Sequence, residues 1–231
     1  MTRDLIPPPQ VIPGLVPLAD MLALKAHVER AYVEMAGDPR NEVQTALKWG
    51  GLALSWLRPG IDIFIEPVVE AVERCFPGAR LVDEVSVFRR VVRQTYIYWH
   101  MDADGTGSWR YDPLFNCWLP LEEVGVDGYP SLEVMTNSEA GMREEGISPP
   151  GSRHDDWVKA HFPDPEIMCP RMAVGDVLIF SHFLLHRTQP MAELKGPRIG
   201  CEMRFALTPQ EDEVPRPWWS RAMGLFRRGR G

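Results

Sequence analysis

Apolar positions along this chain change their period once. From Leu18 to Met35, Leu22, Leu24, Val28 and Tyr32 recur at roughly helical spacing. That predicts a helix following an extended, proline-punctuated arm over residues 1–16. A second helix is predicted after Asp38-Pro39, capped by Asn41, carrying Ala46, Leu47, Gly50, Leu54 and Leu57, and stopped by Pro59-Gly60. A third is predicted from Ile61 to Cys75.

From Leu81 onward the pattern becomes alternation or continuous β-branched and aromatic runs. These are Val85–Arg93, Thr95–Trp99, Leu114–Leu119, Leu132–Met135, Val177–Phe180 and Ile199–Phe205. Turn signals at Asp104-Gly105, Asp127-Gly128, Gly175-Asp176 and Gly196-Pro197 separate them. Many short strands without intervening helices point to an antiparallel sandwich or jelly roll, not to alternating βαβ units. No internal repeat or low-complexity tract interrupts the pattern.

Composition narrows the class. Among 231 residues, 22 are Pro and 19 Gly, and 25 Lys+Arg against 32 Asp+Glu leave a net charge of −7. Proline at about twice its average usage of roughly 5% disfavours a helical bundle or coiled coil. The length fits one globular domain. An acidic chain without a long basic block lacks the face that nucleic acid requires, so a small molecule is the expected partner, to a monomer or homodimer. Cys75, Cys117, Cys169 and Cys201 form no CxxC pair and are expected to be reduced and mostly buried. Prolines stand where a signal peptide needs its apolar core, and the longest apolar stretch, Val177–Leu185, contains His182 and is too short to span a bilayer. A cytoplasmic protein without stable membrane association is expected. Residues 216–231 hold five Arg with Trp218, Trp219, Leu225 and Phe226. Packing of the two tryptophans on the sheet or a second subunit is preferred over membrane binding.

One constellation can carry chemistry. His100-Met101-Asp102 follows the aromatic run TYIYWH, His186 follows VLIFSHFLL, and Arg198 opens the next run. Side chains at i and i+2 of a strand share a face, so His100 and Asp102 can reach one metal ion, with His186 arriving from a distant strand. Two His and a carboxylate on one face of an octahedron leave three positions open, as in non-haem Fe(II) oxygenases. An H-x-D pair alone is weak, and His154-Asp155-Asp156 is a second, read as a loop decoy because no strand leads into it. His182 competes with His186 as the distal ligand. An i,i+4 pair would suit a zinc protease, but HFLLH lacks the glutamate that such an enzyme needs.

The order of the pieces WHMDAD, FNCWLPLEEV, YPSLEVM, VGDVLIF, LLHRTQP and GPRIGCEMRF, with spacing H-x-D-x83-H-x11-R, resembles the phytanoyl-CoA dioxygenase-like (PhyH) family of Fe(II)/2-oxoglutarate-dependent oxygenases over residues 90–206. The resemblance implies a β-dominant α+β fold, a cupin-like double-stranded β-helix (jelly roll) with N-terminal helices packed on one face. It implies a single oxygenase domain over 1–231: an N-terminal arm and supporting helices over 1–80, a jelly-roll core with the metal site over 81–206, and a C-terminal tail over 207–231. His100, Asp102 and His186 would hold iron, and Arg198 the distal carboxylate of 2-oxoglutarate, with Arg204 as the alternative of the same parity. A guanidinium fork suits that role because it matches a carboxylate and keeps its charge when buried. Met101, Trp118 and Thr188 match positions at the co-substrate pocket, although Trp118 serves equally as a core aromatic.

The implied reaction uses Fe(II), 2-oxoglutarate and O2 to hydroxylate or otherwise oxidise a C–H bond, releasing succinate and CO2. Asp102 favours this over halogenation, for which related enzymes carry Gly or Ala there. Thr136-Asn137-Ser138-Glu139 replaces the family's Pro-Gly-Ser/Thr-His. Trp109, Arg110 and Tyr111 after the metal motif, with Arg93 before it, suggest a partly apolar, anionic metabolite. Arg89, Arg90, Arg153 and His154 are further candidates, each better explained singly as a surface group or structural ion pair. The alternatives are a metal-dependent enzyme on the same fold needing no 2-oxo acid, and a non-catalytic small-molecule sensor.

Overall fold

The computed structural model describes residues 6, 8–36, 46–48, 58–82, 86–91, 97–102, 114–144 and 154–207. The strands are β1 (Gln10–Ile12), β2 (Ala46–Lys48), β3 (Ala79–Leu81), β4 (Val87–Val91), β5 (Leu114–Pro120), β6 (Leu132–Met135), β7 (Ile167–Met168), β8 (Val177–Ser181), β9 (His186–Thr188) and β10 (Arg198–Leu207). The helices are α1 (Leu18–Ala36), α2 (Arg58–Cys75), α3 (Glu139–Glu144) and α4 (Asp155–His161). The larger sheet runs β1-β8-β5-β10-β4-β2, with β3 also on β10, and the smaller runs β7-β6-β9. Every pairing among them is antiparallel.

β10 organises the large sheet because its ten residues alternate in character. Ile199, Cys201, Met203 and Phe205 join the cluster that α1 and α2 cover, packing with Met21, Leu24, Val28, Ile65 and Val72. Arg198, Gly200, Glu202 and Arg204 turn to the opposite face, toward the small sheet. There a second cluster joins Trp118, Leu178 and Phe180 of the large sheet to Leu132 and Val134 of the small one. The helices thus seal one face, and the other is left for a site between the sheets. Phe88, Phe115 and Phe205 are fully buried on the helix side. Each such side chain contributes roughly 1.5–3 kcal/mol by leaving water.

The first helix and the strands Leu114–Leu119, Leu132–Met135, Val177–Phe180 and Ile199–Phe205 stand within a residue or two of expectation. The expected second helix is corrected where it is described: Ala46–Lys48 is a strand paired with β4. Ladder hydrogen bonds to an open sheet edge outweigh a local helical pattern. Pro59 and Gly60 do not stop a helix but lie in the first turn of α2, where the missing proline N–H has no intrahelical partner to lose. The expected strand Thr95–Trp99 falls partly outside the described residues, and Trp99 and His100 make only isolated bridges. The run Val177–Leu185 is broken by a turn at His182–Leu184, so His182 and His186 share no helix. Gly175, at φ +103°, provides the turn before β8, and a Cβ there would lie 2.6 Å from the Val16 carbonyl oxygen. Cys117 and Cys201 are buried, but Cys75 and Cys169 are exposed, contrary to mostly buried thiols. Among the described residues no helix is long and apolar enough to cross a membrane.

Candidate metal centre

His100 and His186 meet as an antiparallel bridge, each backbone N–H donating to the other's carbonyl at 3.0 and 2.9 Å. Directly opposed residues share a face, so their rings lie together, 4.2 Å between centroids. Both Nδ1 atoms face backbone carbonyls, His100 that of Tyr98 at 2.9 Å and His186 that of Leu184 at 3.0 Å. A carbonyl only accepts, so each Nδ1 carries the proton and each Nε2 presents a lone pair. The Nε2 atoms sit 3.9 and 3.6 Å from the Asp102 carboxylate oxygens. Burial, reinforced by His186, pulls the His100 imidazole down to about 4, which keeps it neutral at physiological pH.

Asp102 follows at i+2 from His100, its N–H donating to the His182 carbonyl at 3.1 Å. Its Oδ1 accepts from Arg204 Nη2 at 2.6 Å and its Oδ2 from Asn116 Nδ2 at 2.7 Å. Asn116 Oδ1 in turn accepts from Arg204 Nε at 3.3 Å. Burial alone would raise the Asp102 carboxyl, but Arg204 and both imidazoles override it and hold the group well below the usual carboxylate range. The potential ligand atoms of His100, Asp102 and His186 lie within 4.8 Å of one another, the one such group among the described residues. His182 is buried beside them with Nδ1 directed at the Leu114 carbonyl, and stands outside that group.

Arg198 is 1% exposed, its guanidinium 5.1 Å from the Trp118 ring centroid. Gly200 makes that arrangement possible, because a Cβ there would lie 2.5 Å from Trp118 Nε1 and 2.9 Å from Arg198 Nη1. Trp118 Nε1 and Thr188 Oγ1 are buried without a hydrogen-bond partner among the described residues. Thr188 pairs with Leu132 across the small sheet, on the face that Trp118 packs against. Buried polar groups normally find a partner, so unmet donors around a buried cation mark a polar ligand's place. Glu122 lies nearby, its carboxylate accepting from Ile199 N–H at 2.9 Å and 3.4 Å from Lys25 Nζ. Burial raises its pKa despite Lys25 and Arg198.

The remaining candidates divide. Met101 packs with Trp99, Met135, Met142 and Leu185, in a different cluster from Trp118, as alternation in an extended segment directs. Arg204 is engaged by Asp102, which separates its role from that of Arg198. Arg89 faces the Asp102 side, paired with Glu202 at 2.8 and 3.2 Å, while Arg90, opposite Ile199, turns to the helix face over Tyr32. Arg93, Trp109, Arg110, Tyr111 and Arg153 lie outside the described residues. The divergent Thr136–Glu139 segment has a structural part: Ser138 Oγ accepts from Leu185 N–H at 2.9 Å, next to His186. Sequence reasoning missed Asn116, Glu202 and Gly200. For Glu202 and Gly200 the polar row Arg198, Gly200, Glu202, Arg204, alternating with apolar residues on one strand, was the legible signal.

No protein-family model matches the chain, and no curated protein matches it. Solved structures do. HygX from Streptomyces hygroscopicus, crystallised with nickel and 2-oxoglutarate, is 17% identical, with 90% of this chain and 88% of that one covered at a TM-score of 0.55. AviO1 from Streptomyces viridochromogenes Tue57 is 15% identical over 93% and 95% at a TM-score of 0.61. EctD from S. alaskensis, solved with 2-oxoglutarate and 5-hydroxyectoine, is 14% identical over 91% and 78% at 0.58. The chain has their fold, the expected double-stranded β-helix with helices on one face.

Proposed function

We propose that this protein is an Fe(II)- and 2-oxoglutarate-dependent oxygenase of the PhyH kind, which oxidises a C–H bond of a small metabolite. One observation carries the reading: two imidazoles and one carboxylate converge on a common point, with both Nδ1 atoms already committed to backbone carbonyls. Nitrogen, nitrogen and oxygen donors on one side fit a non-haem iron and leave its other positions for co-substrate and O2. HygX, of the same fold, holds nickel and 2-oxoglutarate, which supports the same pair of ligands here.

The chain's own residues have distinct tasks. His100, Asp102 and His186 would hold the metal, while Arg204 and Asn116 fix the carboxylate's orientation and charge. Arg198 would take the distal carboxylate of 2-oxoglutarate bidentately, with Trp118 Nε1 and Thr188 Oγ1 as further donors. The apolar wall of Leu132, Val134, Leu178 and Phe180 excludes water from that side. When bound, iron and 2-oxoglutarate supply the oxidation, coupling O2 reduction to release of succinate and CO2. Within a single domain over 1–231, Arg93 and Arg110 are assigned to an anionic group of the substrate, and Trp109 and Tyr111 to its apolar part.

The test is succinate release under Fe(II), 2-oxoglutarate and O2 across a panel of small metabolites. Release should depend on iron and vanish in His100→Ala and Asp102→Ala. Turnover surviving both substitutions would reject the reading.

A further inference from the structure

We infer that Asp155 is a positioning residue for the metal centre, stapling together from the outer face the two segments that bear His100 and His186. The inference rests on the reading of His100, Asp102 and His186 as metal ligands.

Asp155 belongs to the second H-x-D of the sequence and begins α4. Because His100 and His186 are directly opposed and share the inner face, their neighbours Trp99 and Arg187 share the outer one. The Arg187 guanidinium lies 4.5 Å from the Trp99 ring centroid. Asp155 Oδ1 accepts from both, from Trp99 Nε1 at 3.0 Å and from Arg187 Nη1. Arg187 Nε also donates to Glu133 at 2.6 Å, its cross-strand partner on β6. One carboxylate oxygen therefore ties the residue after one histidine to the residue before the other.

Four described backbone bonds hold this junction. Among the described residues, the bonds joining the two segments are the reciprocal pair of His100 and His186, Thr188 N–H to the Ile97 carbonyl, and Asp102 N–H to the His182 carbonyl. A slip of one residue would turn a ligand to the outer face. An exposed ion pair ordinarily contributes little. Here Trp99 is 2% exposed and its indole N–H is fixed by Asp155, so the pair acts on a buried ring adjoining a ligand.

The test uses the full chain and Co(II) as probe, with calorimetric affinity and the ligand-field spectrum as readouts and circular dichroism as the check on folding. Asp155→Ala is expected to weaken Co(II) binding about tenfold and alter the spectrum, the scale of outer-shell effects on metal sites. Asp155→Asn keeps an acceptor oxygen and should recover most of both. Trp99→Phe removes the N–H donor together with part of the buried ring, keeps an aromatic face for Arg187, and should move both readouts in the direction of Asp155→Ala, which decides the matter should the alanine variant fail to fold. Wild-type affinity and spectrum in Asp155→Ala, or in Trp99→Phe, would overturn the staple. Failure of the wild-type chain to bind Co(II) would instead overturn the metal reading beneath it.

Discussion

Arg204 Nη2 lies 2.6 Å from Asp102 Oδ1, and the proposed function accordingly gives the two arginines of β10 different work. On the proposed reading Arg204 serves the metal-binding carboxylate and Arg198, six positions back on the same face, the co-substrate. Arg204→Ala leaves a buried carboxylate without its main counter-ion, an event that typically costs about 3–5 kcal/mol. Metal affinity and melting temperature should both fall. Arg198→Ala should spare metal affinity and lower 2-oxoglutarate affinity about 100-fold, the effect of removing one side of a buried charge pair. Calorimetry with metal first and 2-oxoglutarate second separates the two. Equal loss of metal binding in both variants would refute the division.

Gly200→Ala tests the packing behind Arg198. The new Cβ would meet Trp118 Nε1 at 2.5 Å, and neither the indole nor the buried guanidinium can move without leaving its place. Overpacking of this kind costs about 1–3 kcal/mol. The expected outcome is weaker 2-oxoglutarate binding with metal affinity intact, since the ligand cluster lies at the Arg204 end of β10. Unchanged co-substrate affinity would remove Trp118 and Arg198 from the pocket.

The strands and the i,i+2 placement of His100 and Asp102 were legible because both are written in short-range patterns. Leu132–Met135 and Leu114–Leu119 are buried runs that no helix of that length would show, and His100-x-Asp102 needs only the alternation of an extended chain. What escaped depends on pairings between distant positions. Ala46–Lys48 is a strand only because β4 offers an edge, and Asn116 matters only because Arg204, 88 residues away in sequence, arrives beside it. For Met101, matching a motif position gives proximity in sequence, whereas the pleat decides the side, and here it sends the side chain to Trp99 and Met142.

Stability of the metal-free protein should depend on pH through His100. Its folded value of about 4 lies below the roughly 6.5 of an unfolded imidazole. Between those values the unfolded chain binds the extra proton, so the contribution is fully present above pH ~6.5 and is lost as pH falls toward 4. The loss amounts to at most about 3 kcal/mol. Asp102, also held low, adds its own loss only below the ordinary carboxylate range. Thermal melts of metal-free protein from neutral pH downward should show this decline, and His100→Gln should flatten it. An equal slope in that variant would place the proton uptake elsewhere.

Removal of the metal-binding carboxylate should create an anion site. In Asp102→Ala, Arg204 Nη2 and Asn116 Nδ2 still point at the space the two carboxylate oxygens occupied. A guanidinium and an amide donor facing one buried void favour a small anion, because the arginine cannot discharge itself and has lost its bonded carboxylate. Chloride is the natural probe. Linkage makes the effect measurable, since an anion at about 100 times its dissociation constant stabilises the fold by about 2.7 kcal/mol. The melting temperature of Asp102→Ala should rise with chloride relative to an equal concentration of a large, weakly binding anion, while the wild-type chain shows no such difference. The double variant Asp102→Ala/Arg204→Gln should lose the response, because the charge that holds the anion is gone. A chloride response that persists there would show that Arg204 is not its source.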